Sequence, residues 1–87
     1  MRAKTRIQIV GADGVKLRAL AERAEIAARG LALDFELERV VESSRILDFG
    51  LVATPALAVD GLVVVSGRLP TVTELRDLLR PISSSVA

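Results

Sequence analysis

The 87 residues contain no cysteine, histidine, tryptophan or tyrosine. Without a thiol the chain has no nucleophile for disulfide exchange and no soft ligand for zinc, copper or an iron–sulfur cluster. Without histidine the usual general base near neutral pH is missing. Phe35 and Phe49 are the only aromatic side chains, so stacking on bases or sugars has almost nothing to work with. Charge is also lacking in excess of either sign: 12 Lys and Arg face 11 Asp and Glu, a net +1. A nucleic-acid footprint needs a clustered basic surplus. Arg2, Lys4 and Arg6 gather near the N-terminus but read as solvated charges beside a first strand. No apolar run approaches the ~20 residues of a membrane span, and no apolar signal region follows the first charges. These absences lead to an expectation of a cytoplasmic protein with no cofactor, no metal, no nucleic acid and no membrane partner.

What is present suffices for one compact domain. A chain of this length buries about 60–65% of the surface its unfolded form exposes, and 51% of its residues are apolar. Residues 6–10 (RIQIV) alternate and are β-branched, the pattern of a strand. Asp13 follows as a candidate helix cap. The spacing of Leu17, Leu20, Ala21, Ala24, Ala28 and Leu31 predicts a helix to about Arg29, with Gly30 at its C-terminal stop. Leu33, Phe35 and Leu37 then alternate with Asp34, Glu36 and Glu38. The acidic face suits an edge strand better than a metal site, because charge there discourages edge-to-edge pairing.

Ser43 or Ser44 is expected to cap a short helix to about Phe49, with Gly50 ending it. Surface ion pairs are expected from Arg45 to Asp48 or Glu42. ALAV at 56–59 and LVVVS at 62–66 flank Asp60 and Gly61, a strong hairpin signal. Thr71 and Glu74 have capping-box spacing at the start of a last helix through Leu79, which Pro81 is expected to stop. The order is β-α-β-α-β-β-α, an α/β domain over residues 1–81, with 82–87 as a flexible tail.

The run from Phe49 to Leu69 carries a resemblance. It holds an aromatic-Gly pair, Thr54 and Pro55 at a strand start, Asp-Gly, a valine strand and Ser66-Gly67-Arg68. With IQIVG near the start, it resembles the small thioredoxin- or glutaredoxin-like "redox-active disulfide protein" family. That likeness implies a thioredoxin-like four-stranded mixed sheet with helices on both faces, and a cis peptide before Pro55. Read from the residues alone, Pro55 equally well just opens a strand. The family's first loop reads roughly Gly-x-Gly-Cys-x-x-Cys-Lys. Laying Gly11 on its first glycine puts Gly14 and Leu17 at the two cysteine positions and Arg18 at the lysine. The family's thiol–disulfide oxidoreductase activity is therefore not expected of this chain.

What the resemblance leaves is a groove. Its candidate residues are Asp13, Lys16, Arg18, Ala53, Thr54, Pro55, Gly67 and Arg68, with Leu17 as either a partly exposed contact or core filler. The expected role is redox-inactive binding of a protein or peptide partner. One alternative is a small-thiol (glutathione-like) or anion site using Lys16 and Arg68. Another is a structural homo-oligomer, such as a homodimer, through the uncharged strand bearing Leu62, Val63, Val64 and Val65.

Overall fold

A computed structural model describes residues 4–50 and 53–84. Arg2, Leu51 and Val52 and the last three residues of the expected tail lie outside them. The strands are β1 (Thr5–Val10), β2 (Phe35–Val40), β3 (Ala56–Val59) and β4 (Leu62–Ser66), and the helices α1 (Val15–Gly30), α2 (Ser43–Asp48) and α3 (Val72–Ser84). One four-stranded sheet has the order β2-β1-β3-β4. β1 runs parallel to β2, with α1 as the crossover, while β3 is antiparallel to both β1 and β4. This is the thioredoxin-like α/β architecture.

Period-two alternation sorts each strand's side chains between two faces. Ile7 and Ile9 of β1 and Leu57 and Val59 of β3 meet Leu17, Leu20, Ala24, Ala27 and Ala28 of α1 and Leu75 and Leu79 of α3 in the main core. Each such leucine, withdrawn from water, contributes about 1.5–3 kcal/mol. On the opposite face Val10, Val40 and Ala56 form a small cluster under Ile46 of α2 and Phe49 just beyond it. Gln8, turned to that face, donates from Nε2 to the Glu38 carboxylate at 3.2 Å. Glu38 also pairs with Arg45 at 3.0 Å and Arg6 at 3.7 Å. The acidic strand is an edge, and its innermost charge is tied down by its neighbours. Arg45 pairs with Glu42 as well, at 3.5 Å.

The other edge, β4, is blunted by shape. Leu57 pairs with Val65 and Ala58 with Val63, so Val64 is an extra residue, a β-bulge. Val65 is buried in the main core and Val64 packs against it. Two of the residues proposed for self-pairing are therefore turned inward, leaving Leu62 exposed and Val63 half-buried. Asp60 and Gly61 both adopt positive φ (51° and 87°), as the tight hairpin requires.

Helix ends depart from the sequence reading in specific ways. Asp13 does not cap α1; Gly14 is the N-cap residue and receives no side-chain cap bond. The extended backbone of Gly14 (φ 169°) separates Asp13 from the first turn. Gly30 lies inside α1. The left-handed residue is Ala32 (φ 55°), because the chain closes by Leu33 N–H to Ala28 O and Ala32 N–H to Arg29 O, each 3.0 Å. That is a Schellman motif, fixed by the burial of Leu33 against Ala27 and Ala28. The N-cap of α2 is Glu42, one residue before Ser43, and its side chain makes no cap bond. The box at α3 forms as read: Glu74 N–H donates to Thr71 Oγ1 at 3.1 Å, and Thr71 N–H to Glu74 Oε1 at 3.3 Å. Pro81 does not stop α3, which continues to Ser84. Proline lacks a donor, but its ring holds a helical φ, so a last turn can pass through it. Residues 82–84, placed in a tail by sequence, are helical.

Ala32 predicts a gain. A left-handed alanine is strained by about 1–2 kcal/mol, partly offset in glycine by chain entropy. Ala32→Gly should therefore raise the melting temperature by a few degrees in thermal unfolding. A lower melting temperature would contradict the motif.

Candidate functional site

The C-terminal ends of β1 and β2 lie together, because parallel pairing carries Val10 to Val40 and Gly11 N–H donates to Val40 O at 3.1 Å. β3 approaches from the opposite direction, so residues 53–55 reach this same end before Ala56 pairs with Val10. The Thr54-Pro55 peptide there is cis. Gly67 N–H, leaving β4, donates to Pro55 O at 2.9 Å. Three connections thus converge around Pro55.

Gly11 is where they touch. A Cβ added to it would stand 3.3 Å from Thr54 Cβ and 3.4 Å from both Leu17 Cδ1 and Pro55 Cα. Its φ of 154° is one that L side chains rarely adopt. Gly67 is constrained similarly: φ is 79°, and a Cβ would meet Ala53 Cβ at 3.0 Å. Glycine at both positions lets backbone close on backbone.

The structure brings Ala53, Thr54, Pro55 and Gly67 together with the start of α1, and it separates others. Leu17 is 1% exposed, so it is core rather than a contact residue. The spacing already permitted this, since Leu17, Leu20 and Ala24 share one helical face. Gly14, the other residue expected at a cysteine position, is open: a Cβ there meets nothing within 4 Å. Lys16 and Arg18, two residues apart, point to opposite flanks of α1. Arg23, seven residues after Lys16 and on its flank, donates to Pro70 O at 3.0 Å. Lys16 therefore lies on the side of the β4–α3 connection, where Gly67 and Arg68 are. Arg18 lies away from it, its Nε against Gly14 O at 3.5 Å. Arg68 is engaged by the Glu74 carboxylate. Asp13 is exposed and does not bond to the helix end.

One further residue at this rim falls within the expected groove stretch, residues 11–17. Val15, the first residue of α1, is 78% exposed. Its signal in the sequence was a β-branched apolar residue well off the Leu17–Leu20–Ala24 stripe. Among the described residues no group of histidine, cysteine, aspartate or glutamate could hold a metal ion.

A mixed sheet of this order, with Thr54 and Pro55 set against Gly11 and Leu17, is that of a thioredoxin-like domain; the resemblance lays its two cysteine positions on Gly14 and Leu17. The sequence comparisons agree. A family described as "Thioredoxin domain" matches residues 5–80. A thioredoxin of Methanothermobacter thermautotrophicus is 36% identical over 74 residues, covering 85% of this chain and 96% of that protein. A thioredoxin of Methanocaldococcus jannaschii is 29% identical over 80 residues, covering 92% of each. The chain belongs to the thioredoxin family, and it does so without a cysteine.

Two outcomes test this geometry. In Gly14→Cys combined with Leu17→Cys, mild oxidation should form an intramolecular disulfide, because the positions lie three apart at a helix start. Thiol titration and mass measurement check it, and two free thiols in a folded double variant would refute the placement. The second outcome concerns acid. The Arg68 guanidinium, helped by the Thr71 N–H, holds Glu74 below its ordinary value of 4.5. A depressed carboxylate stabilises the fold above its unfolded pKa, and that contribution is lost as pH falls through the folded value. Glu74→Gln should therefore flatten the loss of stability below about pH 4.5, measured by denaturant titration. An unchanged acid limb would contradict the pairing.

Proposed function

We propose that this protein is a redox-inactive thioredoxin-like binding module that holds an extended segment of a partner protein in the groove between the start of α1 and residues 53–55. The observation that carries the reading is the close approach of Gly11 to Thr54 and Pro55, which sets the start of α1 beside residues 53–55, while no residue of the chain can supply a thiolate. The outward face agrees, since Ala12, Val15, Ala53 and Thr54 are exposed around it. Exposed apolar side chains beside free backbone suit a strand-like ligand, which gains main-chain hydrogen bonds and side-chain contacts together.

The alternatives have less support. A small-thiol or anion site would need both Lys16 and Arg68, and Arg68 is engaged by Glu74. Self-pairing of β4 would have to proceed across the bulge at Val64.

The test is capture from the source organism's lysate on immobilised wild type, Pro55→Ala and Val15→Glu, each verified as folded. A partner held by wild type and weakened about tenfold or more by both variants, roughly 1.4 kcal/mol, is the expected result. A partner indifferent to both, but lost on Val63→Lys, would overturn the groove in favour of the β4 edge.

A further inference from the structure

Little attaches α2 to the rest of the fold. It has six residues, whereas an isolated helix in water needs about 12–15 to hold itself together. None of the six is buried, and no side chain caps the start. The backbone bonds at its two ends stay local: Arg45 and Ile46 N–H donate to Glu42 O, Phe49 N–H to Ile46 O and Gly50 N–H to Leu47 O. By contrast α1 seats Leu17, Leu20 and Ala24 in the main core, and α3 seats Leu75 and Leu79 there.

Two attachments join α2 to the sheet. One is apolar: Ile46, with Phe49 just after the helix, packs half-buried against the fully buried Val10, Val40 and Ala56. The other is ionic: Arg45 Nη1 reaches the Glu38 carboxylate at 3.0 Å. The sheet prepares that carboxylate without help from α2. Gln8, 7% exposed, donates to it at 3.2 Å, and Arg6 stands 3.7 Å away, both from β1. The other partner of Arg45, Glu42 at 3.5 Å, is the N-cap residue of α2 itself and ties nothing to the sheet. Gly50, left-handed at φ 64°, follows the helix, and glycine lets the backbone there turn with little steric resistance.

We infer that α2 is a flap: it swings off the sheet as a unit while the four strands, α1 and α3 stay folded, and the Arg45–Glu38 pair is the latch that holds it shut. Segments with few buried apolar contacts open at lower free energy than the core. Opening bares Val10, Val40 and Ala56. Val10 and Ala56 pair with each other where the chain continues to Gly11 and Pro55, so the flap lies next to the candidate groove. Its opening does not depend on what the groove binds.

Because the chain has no cysteine, a single introduced thiol reports opening at one place. Val40→Cys puts it beneath the flap and Ala24→Cys in the main core, at positions that are both fully buried. Ala56→Cys is a second reporter under the flap, used if Val40→Cys does not fold. The probe is a chromogenic aryl disulfide, its reaction followed in each folded variant from zero to low urea. The thiol under the flap should react about tenfold faster or more than the one at position 24, a difference of roughly 1.4 kcal/mol in opening. Its rate should also rise less steeply with urea, since the flap exposes a small area and global unfolding a large one. Arg45→Met keeps the aliphatic stem and removes the charge. Added to Val40→Cys, it should speed the reaction about two- to fivefold, the range of an exposed ion pair. Equal rates and equal urea slopes at positions 40 and 24 would overturn the flap, because both thiols would then be reached only by global unfolding. A rate at position 40 unmoved by Arg45→Met would overturn the latch.

Discussion

The site depends on one close approach, the backbone of Gly11 against Thr54 and Pro55. Antiparallel pairing of β1 with β3 starts at Val10 and Ala56, immediately beyond it. Gly67 N–H closes on Pro55 O from the far side. A side chain at position 11 would crowd Thr54 Cβ, Leu17 Cδ1 and Pro55 Cα together, at a φ of 154° that L side chains rarely adopt. The strand order thus brings three chain connections to one place, and a missing Cβ lets them meet.

Gly14 and Leu17, the two residues expected at the motif's cysteine positions, sit in opposite surroundings. Leu17 is buried among Ile9, Leu20, Leu57 and other core residues, so this position now contributes to packing. Gly14 is open and carries no functional group. What faces solvent here is a surface made of Ala12, Ala53, Thr54, the side of Val15 and Lys16. Without a cysteine that surface presents no thiol; backbone and side-chain contact is what the proposed binding module would use. That is the physical content of reading a thioredoxin-family chain as a binding module.

Much of the fold was legible because it rests on short-range rules. Alternation gave the strands, Asp60 and Gly61 gave the hairpin, and Thr71 with Glu74 gave the start of α3. Less legible were features set by contacts distant in sequence. Ala32 takes the left-handed position because Leu33 is buried, which no local preference for glycine at Gly30 could reveal. Pro81 passes through α3 instead of ending it. The inward turn of Val64 and Val65 follows from a bulge against β3, whereas the sequence offered four apolar residues in a row. At the site, the separation of Lys16 from Arg18 was implicit in helical spacing. The engagement of Arg68 by Glu74 required the loop between β4 and α3 to be in place.

The most direct test of the account is amide chemical-shift mapping of the labelled wild-type protein with the segment of the captured partner that binds it. The account predicts the largest shifts at Gly11, Gly14, Val15, Lys16, Ala53 and Thr54, and little change along β2 and β4. Shifts centred instead on Leu62 and Val63, with the amides around Thr54 unmoved, would contradict it and place recognition on the sheet edge.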